Sequence, residues 1–139
     1  MKFDVSSMTA PLRTVALKKP GTSLLHANRD EWHYGPHFDP LRAIDNHAAF
    51  VRILQDRGVK ILWMPDDDGG NADAVFTYDA SLMTPSGAIL MSPGKALRAG
   101  EQDLHRQFYD AHDIAIIGSI EAEGRAEAGD TLWLDSETL

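Results

Sequence analysis

The sequence predicts a mixed α/β domain. Short apolar runs of four or five residues alternate with two stretches whose apolar residues recur at three- and four-residue spacing. The second half loosely repeats the first, a few strands and one helix in each. Composition agrees: of 139 residues, 43% are apolar and 24% charged, enough apolar content for a core and too much for disorder. The length is that of a single domain. A flexible lead is expected over residues 1–11 and one α/β unit over residues 12–139.

Arg13 to Leu17 (RTVAL) reads as the first strand. Pro20 to Pro36, rich in Gly, Pro, Asn, His and Trp, reads as a long loop of a length usually kept for function. Its Trp32 and Tyr34, with Phe38 just beyond, are either a lid over a pocket or the loop's own packing core. Asp39-Pro40 opens a helix, with Asp39 as cap and Pro40 at the first helical position. Leu41, Ile44, Ala48, Val51 and Leu54 form its apolar stripe, and Gly58 supplies the stop. Lys60 to Met64 (KILWM) is a buried strand ended by Pro65.

Ala74 to Tyr78 (AVFTY) reads as a strand that Ala80 to Met83 continues or pairs with. A turn at Pro85-Ser86-Gly87 and a returning strand at Ala88 to Met91 make residues 74–91 a predicted hairpin. Glu101 to Ala111 is a second helix with Leu104 and Phe108 facing inward. Ile114 to Ile117 is a strand, residues 121–129 a loop, and Thr131 to Leu134 (TLWL) the start of another strand. A chain that stops at Leu139 just as a strand begins is expected to be a fragment.

Charge and cysteine content exclude several classes. Thirteen basic and 21 acidic side chains give a net charge of −8, unfavourable for non-specific contact with nucleic acid or anionic membranes. No apolar run approaches the ~18 residues of a membrane-spanning helix, and Met1 to Pro11 has no apolar core like that of a secretory signal. The chain contains no cysteine. This excludes a disulfide framework, a thiolate zinc site and a cysteine nucleophile within these residues, and fits a cytoplasmic location.

Carboxylates gather near predicted strand ends. Asp73 and Asp79 bracket AVFTY, while Glu127 and Asp130 bracket the turn before TLWL. Converging there, they would suit a cation, and a guanidinium best, because its planar fork pairs bidentately with carboxylates. They also suit simple turns. Arg98, in the Gly-bounded segment PGKALRAGE, reads either as a clamp for a ligand carboxylate or as a surface arginine paired with Glu101. Glu101 suits the positive end of a helix. His33 and His37 are four apart, but Gly35 and Pro36 deny them a helix, and no further metal ligand is identified. His47 and His105 are expected at helix surfaces or boundaries. PDDDGG at residues 65–70 does not match a calcium loop.

Four segments in order, DAVFTYD (73–79), GAILM (87–91), PGKALRAGE (93–101) and AEAGD (126–130), resemble the dimethylarginine dimethylaminohydrolase branch of the amidinotransferase and arginine deiminase superfamily. The resemblance spans roughly residues 12–135. It implies a pentein fold, an α/β propeller of five ββαβ modules around a central channel, of which this chain would supply the first two to three. It also implies attack of a cysteine thiolate on a guanidinium carbon, with a histidine protonating the departing amine.

By the same resemblance, Asp79 grips the guanidinium, and Glu127, a catalytic residue, is the second carboxylate that does so, beside the catalytic histidine. Asp73 and Arg98 hold the ligand's amino-acid end, and Asp130 builds the turn. Tyr78 stands where that branch often has Glu and others have Arg, which leaves the substrate open. The cysteine and histidine would lie outside this chain. The expected function is the N-terminal portion of a guanidino-group hydrolase acting on arginine or N-methylated arginine. The alternatives are an amidinotransferase of the same fold, or a non-catalytic half-propeller that binds guanidino compounds or a partner. No metal or organic cofactor is implied. A half-propeller leaves open sheet edges, so a homo-oligomer or completion by a C-terminal half is expected.

Overall fold

A computed structural model describes residue 5, residues 7–121 and residues 123–139. Residues 1–4 and 6 of the expected lead lie outside the described residues.

Two crossovers of strand, helix and parallel strand organise the chain. In the first, β1 (Thr14–Leu17) pairs in parallel with β2 (Lys60–Trp63), joined through a one-turn helix α1 (Thr22–Leu25) and the long α2 (Pro40–Asp56). In the second, β3 (Ser81–Thr84) and β4 (Gly87–Leu90) form an antiparallel hairpin. Helix α3 (Glu101–Ala111) then returns the chain to β5 (Ile116–Ser119), which lies parallel to β4. This second run is a ββαβ module. The fold is thus mixed α/β with two small sheets, one of two strands and one of three in the order β3-β4-β5.

Local chemistry accounts for the helices. Asp39 caps α2 by accepting hydrogen bonds from the backbone N–H groups of Leu41 and Arg42 at 3.0 and 3.1 Å, and Pro40 opens the first turn. Glu101 and Asp103 in the first turn of α3 complement the helix dipole. Leu104 and Phe108, one turn apart, bury themselves against Met64, Leu90 and Ile114 in the main core. A second cluster gathers Leu24, Trp32 and Ala72 with Tyr34 and Phe38. The aromatic residues of the long loop are therefore its own packing core, with Tyr34 and Phe38 rings 4.5 Å apart.

Several expectations need correction. The loop at residues 20–36 holds the helical turn α1. The stripe on α2 is shallow: no residue of the helix is fully buried, and Leu41 is 68% exposed. AVFTY is not a strand. Ala72–Val75 is a 3-10 helix, followed by turns that leave Phe76 and Tyr78 exposed, so the hairpin begins only at Ser81. Asp73 explains this, because its buried side chain is tied on both oxygens to distant residues. The last strand of the second crossover starts two residues later than expected, at Ile116. TLWL has no strand partner among the described residues and leaves Leu132 and Leu134 exposed. No helix among the described residues is long and apolar enough to cross a membrane.

The contrast between core and stripe gives the first expected result. Leu90, fully buried, should cost about 3 kcal/mol on Leu90→Ala, as buried leucines do. Leu41→Ala should change stability by less than ~0.5 kcal/mol. Urea unfolding of the two variants checks both.

Candidate functional site

The site grows from where the second module ends its strands. Past β4, Ser92 pairs with Ala126 through two backbone hydrogen bonds of 3.0 Å. That bridge brings the AEAGD turn beside the segment before α3. Gly94 N–H donates to Glu127 Oε1 at 3.0 Å, and Ala128 N–H donates to the Asp79 carbonyl at 3.0 Å. Ala128, fully buried against Leu82 and Met91, locks the turn in place. Gly129 leaves room for the carboxylate: a Cβ there would stand 3.2 Å from Asp79 Oδ1 and press it aside by a few tenths of an ångström. Asp79 and Glu127, 48 positions apart in sequence, become neighbours.

Arg98 ties them together. It ends a 3-10 helix (Ala96–Arg98), and Gly100, at φ +97°, turns the chain so that α3 starts directly behind it. Arg98 Nε and Nη2 donate to Glu101 Oε1 and Oε2 at 2.9 and 2.7 Å. Its Nη1 donates to Asp79 Oδ2 at 2.8 Å and lies 3.9 Å from Glu127 Oε2. Arg98 is 6% exposed and Glu101 1%, whereas Asp79 and Glu127 keep 26% and 30% of their side chains open. Burial works against the charge on Arg98, but the hydrogen bonds to Glu101 and Asp79 outweigh it and hold the guanidinium protonated.

Asp73 anchors a second ion pair. Its Oδ1 accepts from the Tyr34 hydroxyl and its Oδ2 from Lys95 Nζ, both at 2.6 Å. Lys95 Nζ also donates to the Trp32 carbonyl at 2.8 Å and sits 4.7 Å from the centre of the Trp32 ring. Burial, reinforced by the bond to Asp73, raises the Tyr34 phenol above its ordinary range.

Of the residues singled out in the sequence, Asp79, Arg98 and Glu127 come together directly, and Asp73 joins through the contact between the two 3-10 helices. Arg98 pairs with Glu101, but as a buried residue rather than a surface one. It faces carboxylates, so it does not stand open as a clamp for a ligand carboxylate. Asp130 closes the turn through a backbone bond to Glu127. A cavity of about 220 Å³ beside Ser92, Lys95, Arg98, Gly100, Asp103 and Arg125 is lined by none of the three acids Asp73, Asp79 and Glu127. Among the described residues, no group of three or more His, Asp or Glu is disposed to hold a metal.

Lys95 carries no sequence signal of its own, and the Tyr34 hydroxyl reaches Asp73 from within the loop's packing core. His105 also departs from expectation. It is buried on α3, with Nδ1 2.7 Å from Ser81 Oγ, which in turn meets the Tyr109 hydroxyl. A polar residue one turn from Glu101, on the same face as Leu104 and Phe108, was the available clue.

Fold and strand connectivity define the class: the chain has the pentein-type α/β propeller fold, as part of its modules. The particular relatives are dimethylarginine dimethylaminohydrolases. The chain is 34% identical over 96 residues to the N(G),N(G)-dimethylarginine dimethylaminohydrolase of Pseudomonas aeruginosa, covering 69% of this chain and 37% of that one. It superposes on the P. aeruginosa enzyme, as a Cys-to-Ser mutant complexed with citrulline, with a TM-score of 0.68 at 30% identity. That match covers 86% of this chain and 46% of the other. A dimethylarginine dimethylaminohydrolase adduct with 4-chloro-2-hydroxymethylpyridine gives the same TM-score at 29% identity, covering 86% and 45%. The chain therefore spans less than half the length of the relatives it matches. No family model matches it.

The buried His105 generates a pH prediction. Burial, with the Arg98 charge adding to it, pushes its pKa from 6.5 down to about 4. The folded ring stays neutral while the unfolded one takes a proton between pH 6.5 and 4. Stability should be full above pH 6.5 and fall by about 3 kcal/mol as pH drops to 4. Urea midpoints measured across that window should flatten in His105→Gln.

Proposed function

We propose that this chain forms the guanidino-recognising part of a hydrolase acting on arginine or N-methylated arginine. One observation carries the reading: Asp79 and Glu127 already share a guanidinium, that of Arg98, at 2.8 and 3.9 Å, while leaving part of their own surface open. Carboxylates spaced for one guanidinium and still part-exposed are suited to receive a second. Similarity to dimethylarginine dimethylaminohydrolases, one of them complexed with citrulline, the ureido counterpart of arginine, supports a ligand with arginine's framework.

In this reading Asp79 grips the ligand guanidinium and holds it planar. Glu127 stands at the reacting end, where it would orient a histidine that protonates the leaving amine. Asp73 and Arg98 act by position, since both are committed to protein partners: Arg98 sets the two open acids, and Asp73 fixes the long loop over the site. The thiolate must come from outside these 139 residues, which contain no cysteine. That same lack favours a second reading, a part that binds guanidino compounds without transforming them. The small sheets are suited to completion by further chain or by a second copy.

Binding of arginine and N-methylated arginine should be detectable by calorimetry in the protein expressed from its complete native reading frame. Asp79→Asn should weaken it about tenfold or more, the loss expected for a charge-assisted pair. Glu127→Gln should cut turnover more than binding. Unchanged affinity in a folded Asp79→Asn protein would overturn the assignment. Release of amine and a ureido product separates the hydrolase from the binding-only reading.

A further inference from the structure

Helix α3 carries a buried polar stripe. Glu101, His105 and Tyr109 recur at every fourth residue, so they share one face of the helix, and all three are buried. Glu101 takes Arg98. The other two converge on one atom of a neighbouring strand. Ser81 Oγ, at the start of β3, lies 2.7 Å from His105 Nδ1 and also meets the Tyr109 hydroxyl. A serine hydroxyl donates one hydrogen and accepts others, so Ser81 is the middle member whichever way the hydrogen bonds run. Among the described residues, these are the hydrogen bonds that join α3 to β3. Toward the opposite edge of the sheet, Gln102 Nε2 donates to the Ile120 carbonyl beyond β5 at 3.0 Å.

The Ser81 cluster and the guanidinium site join the same two bodies. Arg98 and Glu101 are three residues apart and linked by a fork of two bonds, so they travel with α3 as a unit. Asp79 travels with β3, two residues ahead of Ser81, with only the fully buried Ala80 between them. The 2.8 Å bond from Arg98 to Asp79 therefore crosses from α3 to β3 just as the Ser81 bonds do. Leu104 and Phe108 press α3 onto the core, but apolar contact is non-directional and tolerates a small slide. Hydrogen bonds weaken steeply as length and angle leave their optimum. Two of them, from successive turns of α3 to one oxygen, fix the helix along its axis.

We propose that Ser81, clamped by His105 and Tyr109, is a positioning residue of the guanidino site. It sets α3 against β3 so that Arg98 meets Asp79 through a single nitrogen and leaves the rest of that carboxylate open. This rests on the guanidino-binding reading above and adds the device that holds its open acid. None of the three residues touches the ligand; each acts through Arg98 and Asp79.

Tyr109→Phe removes one hydroxyl and keeps the ring in the core. In the protein expressed from its complete native reading frame, it should weaken calorimetric binding of arginine and N-methylated arginine about fivefold. Added to Asp79→Asn, it should cost less than about twofold more, because the carboxylate it positions is gone. A purely structural role predicts the same loss on both backgrounds. Ser81→Ala, which removes the shared oxygen, is read in the same way. Full affinity in either folded variant, or equal losses with and without Asp79, overturns the proposal and leaves the guanidino reading standing. Failure of both variants to fold also overturns it, since the cluster then serves stability alone. Binding of neither ligand by the unaltered protein overturns the guanidino reading itself, and the positioning role with it.

Discussion

The Arg98 guanidinium is the constraint on which the rest of the site depends. Three carboxylates, Asp79, Glu101 and Glu127, come from the turn before β3, the start of α3 and the turn after β5. Close together in a partly buried setting they would repel one another, and protonation or separation would follow. One buried cation, hydrogen-bonded to Glu101 and Asp79 and 3.9 Å from Glu127, removes that conflict. Such a pair is not a large net source of stability, because burying both charges costs nearly what their attraction returns. Its value is positional. Arg98 and Glu101 are both buried, so leaving either unpaired costs several kcal/mol, on the order of 3–5, and the part-exposed Asp79 and Glu127 gather around the cation so fixed.

The backbone prepares that arrangement before any charge is considered. The Ser92–Ala126 bridge and the Ala128 bond to the Asp79 carbonyl fix two turns against each other. Gly129 leaves the Asp79 carboxylate room beside the turn, and Gly100 lets α3 begin behind Arg98. The parallel crossover from β4 through α3 to β5 sets these turns at the strand ends, the usual location of sites in α/β proteins. Packing of Leu104 and Phe108 against the sheet makes the helix rigid enough to hold Glu101 in place.

Much of this was legible in the sequence where local physics decides. The Asp39-Pro40 cap announced α2, and the pairing of an acidic first turn with Leu104 and Phe108 announced α3 at its observed ends. AVFTY misled because its composition suits a strand, while Asp73 is drawn into long-range bonds with Tyr34 and Lys95 that bend the chain into a 3-10 turn. TLWL misled because apolar content alone supplies no partner strand. For the site, the placement of acids near predicted strand ends offered Asp73, Asp79, Glu127 and Asp130 either as a cation site or as plain turn residues, and the family resemblance gave the first three their roles. Placement alone could not say which cation each would hold. Arg98 read either as a ligand clamp or as a surface partner of Glu101, and it takes Glu101 as partner but buried and facing inward; Lys95 went unnoticed because a single lysine has no pattern to read.

The division between spent and open acids then decides what the cluster can do. Four carboxylates, Asp73, Asp79, Glu101 and Glu127, surround two cations, Lys95 and Arg98. If all four were saturated, the cluster would be a structural ion network and nothing more. Glu101 and Asp73 do fit that description, buried and doubly bonded. Asp79 and Glu127 do not, since Arg98 leans on them through a single nitrogen and leaves surface exposed on both. The same guanidinium that makes these acids compatible with each other thus leaves them short of full neutralisation. A planar cation of the same kind is the group best matched to what remains.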